Sequence, residues 1–243
     1  MTLAALRNSA AHVFVASLEQ PVVDDVDLHH LRRVLRVRDT DTVSASDGNG
    51  RWRLGRLHGD LFVPDGPINT TPERPLVTIA TAIPKGDRLE WMVQKLTELG
   101  VGRIRLVEFA RSVVRWGDER APKQMSRLGR IVREAAMQSR QVELPVLDGP
   151  VPFAALLAED PAAIALADPA GESLRPRRRS EPSWRTIVIG PEGGFSADES
   201  SCGATAVSLS PHVLRVETAA VAAAVLLGAA SPDDSTVGDF DGG

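Results

Sequence analysis

From residue 75 to about residue 230, segments of strand length alternate with segments of helical period, and this alternation constrains the fold more than any other feature of the chain. PLVTIATAI (75–83) reads as a buried strand, GDRLEWMVQKLTELG (86–100) as an amphipathic helix and RIRLVEF (103–109) as the next strand. In that helix Leu89, Met92, Val93, Leu96 and Leu99 form one apolar stripe, and Gly100 stands where a left-handed cap is expected. A second helix is predicted over 120–139, with Met125, Leu128, Ile131, Val132 and Ala135 on one face and Arg127, Arg130 and Arg133 on another. Then come a short helix at PFAALLAE, strands at AAIALAD and WRTIVIG, a glycine turn, a helix at SADES, a strand at AVSL and a last helix, ETAAVAAAVLLGAA. Such a succession predicts an α/β fold, a parallel sheet with helices on both faces. The last helix is apolar nearly all round, so it is expected to be buried or to sit at a subunit interface.

The first seventy residues have a different character. HVFVASL, DTVSASDGNG, RWRLGRL and DLFVP read as short strands, with DGNG as a turn between two of them. One helix interrupts them, DVDLHHLRRVLRV, in which Leu28, Leu31, Val34 and Leu35 form the inner face and Arg32, Arg33 and Arg36 face solvent. The proline-bearing connector INTTPERP ends this region. The length of 243 residues suits one large domain or two modest ones, and the change of character near residue 73 makes the expected organisation a small domain over 1–72, an α/β domain over 73–230 and a frayed acidic tail over 231–243.

One cysteine, Cys202, excludes a disulfide scaffold and a cysteine-based metal site, and suits a reducing cytosol. The opening MTLAALRNSAAHVFV lacks an apolar run of signal-peptide quality, and no stretch reaches the roughly 18 apolar residues of a membrane span. The expectation is a soluble cytoplasmic protein without membrane contact. The net charge of −4 argues against a nucleic-acid partner, but the cations are almost all arginine, 25 of the 28 basic residues. Arginine supplies a planar fork of donors suited to phosphates and base edges. They cluster at 32–38, 51–56, 127–133 and 175–179, while the tail concentrates aspartate, so the net value hides local basic surfaces.

The chain contains no P-loop, no G-x-S-x-G elbow and no H-E-x-x-H helix. His29 and His30 are adjacent and have no partners at ligand spacing, and Asp39, Asp41 and Asp47 lack a calcium-loop register, so no metal is expected. What stands out is IVIGPEGGFSADE (187–199). A buried strand ends at Gly190, a glycine-rich turn follows, and Ser196 with Glu199 opens a helix as a capping box. In a parallel sheet, ligands lie beyond the carboxyl ends of strands, where this turn falls. A plain strand-to-helix turn is the alternative. A second segment, LSPHVLRVET (209–218), sets Arg215 and Glu217 within apolar sequence, either as a working pair or as a surface ion pair beside a helix capped by Thr218.

The two segments together, G-P-E-G-G-F-S-A-D-E and L-x-P-x-V-L-R-x-E-T-A, resemble the cofactor-binding end of the SPOUT methyltransferases, in particular the small-subunit ribosomal RNA uridine-N3 methyltransferase family. HHLRRVLRVRDTD, KGDRLEWMVQKLTELGV, RSVV and AAMQSR extend the likeness over nearly the whole chain. It departs from the family pattern at Ser210, Val216, Met137, Gln141 and Ala110.

The resemblance implies a C-terminal SPOUT α/β domain tied in a trefoil knot, an N-terminal PUA-like β-barrel and a homodimer. It implies S-adenosylmethionine as cofactor, held by three segments. The first is the strand end at Leu166 and Ala167; the second runs through Ile189, Gly190, Pro191, Glu192, Gly193 and Gly194. The third carries Leu209, Ser210, Pro211, Val213, Leu214, Thr218 and Ala219. The implied reaction is methylation of N3 of uridine 1498 in 16S ribosomal RNA, free or in the small ribosomal subunit. Arg215 would meet the uracil and Glu217 would orient Arg215 or relay the proton. Arg7, His30, Arg33, Arg36 and Arg111 would grip phosphates, and Arg140 would reach the substrate across the dimer. A related methyltransferase with another target, or a non-catalytic RNA-binding assembly factor, are the alternatives.

Overall fold

The computed structural model describes residues 3–72, 77–159, 163–174 and 184–228. The basic cluster at 175–179, the acidic tail and residues 73–76, where the expected domain boundary falls, lie outside them. The described residues form two compact units, 3–72 with 126–145, and 77–125 with 146–228.

The first unit begins with α1 (Leu3–Arg7) and β1 (Ala11–Phe14), followed by α2 (Asp25–His29) and a π-helical turn, His30–Val34. Strands β2 (Val43–Ser46), β3 (Arg51–His58) and β4 (Leu61–Thr70) complete a four-stranded sheet in the order β1-β2-β3-β4. β1 runs parallel to β2, and the other two pairings are antiparallel. The turn 47–50 joins β2 to β3 with Gly48 at φ +79° and Gly50 at φ +87°, conformations glycine adopts without a Cβ clash. At Gly55, in mid-β3, an added Cβ would lie 2.4 Å from the Phe62 ring and 2.5 Å from the Val63 carbonyl oxygen. Gly55→Ala should therefore cost about 1–3 kcal/mol, because a backbone atom is one of the obstacles. Urea denaturation checks this, and an unchanged midpoint would refute it.

Asp24 caps α2 by accepting from Asp27 N at 2.8 Å. The regular helix expected to continue to residue 37 instead widens after His29, with Leu35 N donating to His30 O. Leu31 stays fully buried, but Val34 and Leu35, expected on the inner face, are 60% and 48% exposed. The extra residue in the turn rotates them away from the core.

Residues 126–145 interrupt the second unit in sequence order yet group with the first. Arg133 donates to Asp27 at 2.6 Å, to Asp24 at 3.3 Å and to Phe14 O at 3.1 Å, and lies over the Phe14 ring. Ser46 Oγ donates to Val142 O at 2.8 Å, and Met137 packs on the core formed by Val13, Leu18, Leu31 and Leu57.

The second unit contains β5 (Thr78–Ala82), α3 (Arg88–Glu98), β6 (Arg103–Glu108) and the first turns of α4 (Arg120–Gln138). It continues with β7 (Val146–Pro152), α5 (Phe153–Glu159), β8 (Ile164–Ser173), β9 (Thr186–Ile189), α6 (Ala197–Ser200), β10 (Thr205–Ser208) and α7 (Val216–Gly228). All six strands are parallel, in the order β10-β8-β9-β5-β6-β7. Sequence order thus moves outward from β5 to β7 and resumes on the other side of β5, which makes the β5 to β9 boundary a topological switch. β7 was not anticipated: Gly149, Pro150 and Pro152 hide its apolar alternation. On α3, Leu89, Met92, Val93 and Leu96 are buried as expected and Gly100 is left-handed, but Leu99 closes the helix at 41% exposure. α7 buries Val216, Ala219, Ala220, Ala223, Ala224 and Leu227, and packs against α3.

Candidate functional site

A cavity of about 200 Å³ opens at the carboxyl ends of β8 and β9. Its first wall is β8, which pairs with β9 as far as Ala167 opposite Ile189 and with β10 as far as Leu166 opposite Ala206. Pairing with β10 resumes only at Glu172, so the intervening residues bow out, and Ala167, Asp168 and Pro169 line the cavity. Asp168 Oδ1 accepts from Ala170 N at 2.8 Å and fixes that bend.

The second wall is the glycine turn. Ile189, Gly190, Pro191, Glu192, Gly194 and Phe195 line it. Gly194 has φ +70° and donates to Pro191 O at 2.8 Å. At Gly190 an added Cβ would sit 3.0 Å from the Phe195 ring, so that position is kept bare by packing. The capping box forms: Glu199 N donates to Ser196 Oγ, and Ser196 N to Glu199 Oε2. The third wall is the crossing from β10 to α7, with Leu209, Ser210, His212, Val213 and Leu214, closed by Val216 and Ala219. His212 N donates to Ser210 Oγ at 3.1 Å. The three segments singled out in the sequence therefore converge on one hole. Four of their residues stay out of its lining: Leu166 is buried in the sheet, Gly193 is backed by the Arg111 side chain, and Pro211 and Thr218 are exposed. Asp168, Pro169, Phe195, His212 and Val216 also line it and are outside the expected set, although Phe195 and His212 stand beside residues within it.

Arg215 lies between two lining residues. Its side chain is exposed and has no partner among the described residues, while its carbonyl accepts from Ala219 N to start α7. Glu217 does not pair with it. Residues two apart at a helix start point to different sides, and Glu217, 8% exposed, faces Arg88 with Nε and Oε1 3.7 Å apart. Its Oε2 is buried without a partner among the described residues. No group of three His, Cys, Asp or Glu capable of holding a metal occurs among the described residues. No helix among them is long and apolar enough to cross a membrane.

Residues 72–228 match the family model of the RNA methyltransferase domain. The ribosomal RNA small subunit methyltransferase E of Mycobacterium tuberculosis is 33% identical over 226 residues, 86% of this chain and 84% of the relative. The chain belongs to the ribosomal RNA small subunit methyltransferase E family. The Bacillus subtilis member is 32% identical over 219 residues, 79% of this chain and 83% of its own. The crystal structure of the Neisseria gonorrhoeae member, bound to S-adenosyl methionine, aligns with a TM-score of 0.73 at 27% identity, covering 88% of this chain and 95% of that one. The second unit is thus the SPOUT α/β domain of a methyltransferase, and the first a smaller sheet-and-helix domain.

Of the residues expected to grip RNA in this methyltransferase, Arg7, His30, Arg33 and Arg36 are exposed, with no side-chain partner among the described residues. Arg36 is held at φ +55° beside the π-helical turn. The other two are engaged within their own chain. Arg140, at φ +60°, donates to the carbonyls of Met137, Gln138, Ser9 and Ala10 at 3.0–3.2 Å. Arg111 donates to the carbonyls of Gly193 and Phe195.

Proposed function

We propose that this chain methylates N3 of uridine 1498 in 16S ribosomal RNA, using S-adenosylmethionine held in the cavity between β8, the glycine turn and the crossing into α7. The observation that carries the reading is the convergence of those three segments on one small, mostly apolar hole at the carboxyl ends of β8 and β9, on one side of the topological switch. The bare backbone at Gly190 and Gly194 and the apolar faces of Ile189, Leu209, Val213 and Leu214 suit an adenosyl group, and the Neisseria relative carries that cofactor. When bound, S-adenosylmethionine supplies a methyl group already activated on a sulfonium.

What the protein adds is alignment and tolerance of charge. As N3 gives up its proton to solvent water, negative charge spreads to the two uracil carbonyl oxygens. Arg215, exposed between the lining residues Leu214 and Val216, supplies a cation to meet it. Glu217 acts through position: its pairing with Arg88 ties the start of α7, which carries Arg215, to the start of α3. Arg7, His30, Arg33 and Arg36 offer unpaired donors to RNA phosphates.

The trefoil knot, the PUA-like character of the first unit and a homodimer belong to the same proposal. Val225 on α7 and Trp91 on α3 are 48% and 45% exposed on two helices that pack together, apolar side chains that a second copy would cover. Calorimetry should give one S-adenosylmethionine per chain. Small subunits lacking the modification should then acquire N3-methyluridine at position 1498 alone. Label at another nucleotide would overturn the target, and no uptake of the cofactor would overturn the site.

A further inference from the structure

The glycine turn is held from outside by the segment that follows β6. Arg111 Nη1 donates to Gly193 O at 3.1 Å and to Phe195 O at 3.0 Å. The α6 carboxylate works from the other side: Glu199 Oε2 accepts from Ser196 N at 2.8 Å, and Oε1 accepts from Ala110 N at 2.7 Å. The Phe195 ring between them packs on Phe109 and Phe153, with centroids 5.6 and 6.3 Å away. Phe109 is itself anchored, its N–H donating to Ser112 Oγ at 2.9 Å and its carbonyl accepting from Arg115 at 2.7 Å. Phe195 both lines the cavity and fills the space beside Gly190. Any loosening of the ring therefore changes the shape of the cavity wall.

We propose that Arg111 and Glu199 are positioning residues that hold the Pro191–Phe195 turn in its cavity-forming shape, and that Arg111 serves this turn rather than an RNA phosphate. Their role rests on the cavity being the cofactor site. Its chemistry is simple. Two carbonyls that converge on one side of a turn repel each other unless a cation lies between them, and a guanidinium does so while its stem covers Gly193, whose added Cβ would come 3.3 Å from Arg111 Cβ. A carboxylate has a second oxygen to give after completing a capping box, and here that oxygen takes the Ala110 amide.

The test uses the full chain and three readouts: amide hydrogen exchange over 190–196 without cofactor, S-adenosylmethionine affinity by calorimetry, and affinity for a 16S RNA fragment across a salt series. Arg111→Ala should speed exchange in that segment and weaken cofactor binding about tenfold. RNA affinity should stay within about twofold, with an unchanged salt slope. Glu199→Gln, which keeps one acceptor and loses the other, should give the same split. A phosphate contact predicts the reverse, with exchange and cofactor affinity unchanged and the salt slope reduced by about one, and that result would overturn the proposal. Should the unmodified protein take up no S-adenosylmethionine, the cofactor reading falls, and exchange over 190–196 alone upholds or overturns the clamp.

Discussion

Arg215→Ala should lower single-turnover methylation about 10²–10³-fold, a loss of roughly 3–4 kcal/mol in transition-state stabilisation, while S-adenosylmethionine affinity stays within about threefold. The split follows from where the residue stands. Its neighbours Leu214 and Val216 line the cavity, but its own side chain is exposed and partnerless among the described residues. Its structural duty, the carbonyl that accepts from Ala219 N, survives truncation to alanine. Removing the guanidinium therefore leaves the cavity walls and the start of α7 in place, and withdraws only the charge proposed to meet the uracil. Arg215→Lys should recover part of the rate, since an ammonium supplies charge without the planar fork. Substitutions at Glu217 should behave differently. Its partner is Arg88 and its second oxygen has none among the described residues, so Glu217→Gln should shift the stability of α7 more than it shifts the dependence of rate on pH. Undiminished methylation by Arg215→Ala would remove that residue from the reaction.

How much of this site could be read from the chain depends on whether the relevant information is local. The glycine turn and the crossing into α7 carry their conformational demands in consecutive residues: Gly190 and Gly194 for bare backbone, Ser196 and Glu199 for a cap, and Ser210 and Pro211 for a bend. Their convergence follows from the strand-helix alternation that makes the sheet parallel. Side-chain direction was less legible. An Arg-x-Glu spacing looks like a pair in one dimension, but at a helix start it separates the two groups, and Arg88, on another element, became the partner. Arg111 and Arg140 look like free cations in the sequence because the carbonyls they serve lie 82 to 84 residues and 130 to 131 residues away in two of their contacts each. The grouping of 126–145 with the first unit has the same origin. It depends on contacts such as Ser46 to Val142, 96 residues apart, which no periodicity encodes. The π-helical turn escaped because widening by one residue leaves composition unchanged and alters only which side chains face inward.

The largest effect on stability is expected from His12. It lies in β1 at 2% exposure, with Nδ1 2.8 Å from Ser44 Oγ, and Ser44 Oγ is in turn 2.9 Å from Ser9 Oγ. Burial pushes its imidazole down from 6.5 to about 3, and the positive charges of Arg140 and Arg133 push the same way, while a backbone bond at Gln141 opposes them. A folded value below the unfolded one means that the unfolded chain binds the proton more readily. The contribution is therefore fully present above about pH 6.5 and is lost as pH falls towards 3. At 1.36 kcal/mol per unit, that loss is roughly 2 kcal/mol at pH 5 and about 4–5 kcal/mol near pH 3. Asp27 acts in the opposite sense, because burial raises its carboxyl despite the bonded Arg133, so acid protonates the folded form first and offsets part of the loss. Urea unfolding at pH 7.5 and pH 5 should show the protein weakening in acid. His12→Asn, which can still bond to Ser44 but does not titrate, should flatten that dependence by about 2 kcal/mol. Equal pH slopes for the two proteins would mean that His12 is protonated without unfolding the sheet, and that its neighbours Arg133 and Arg140 move aside to allow it.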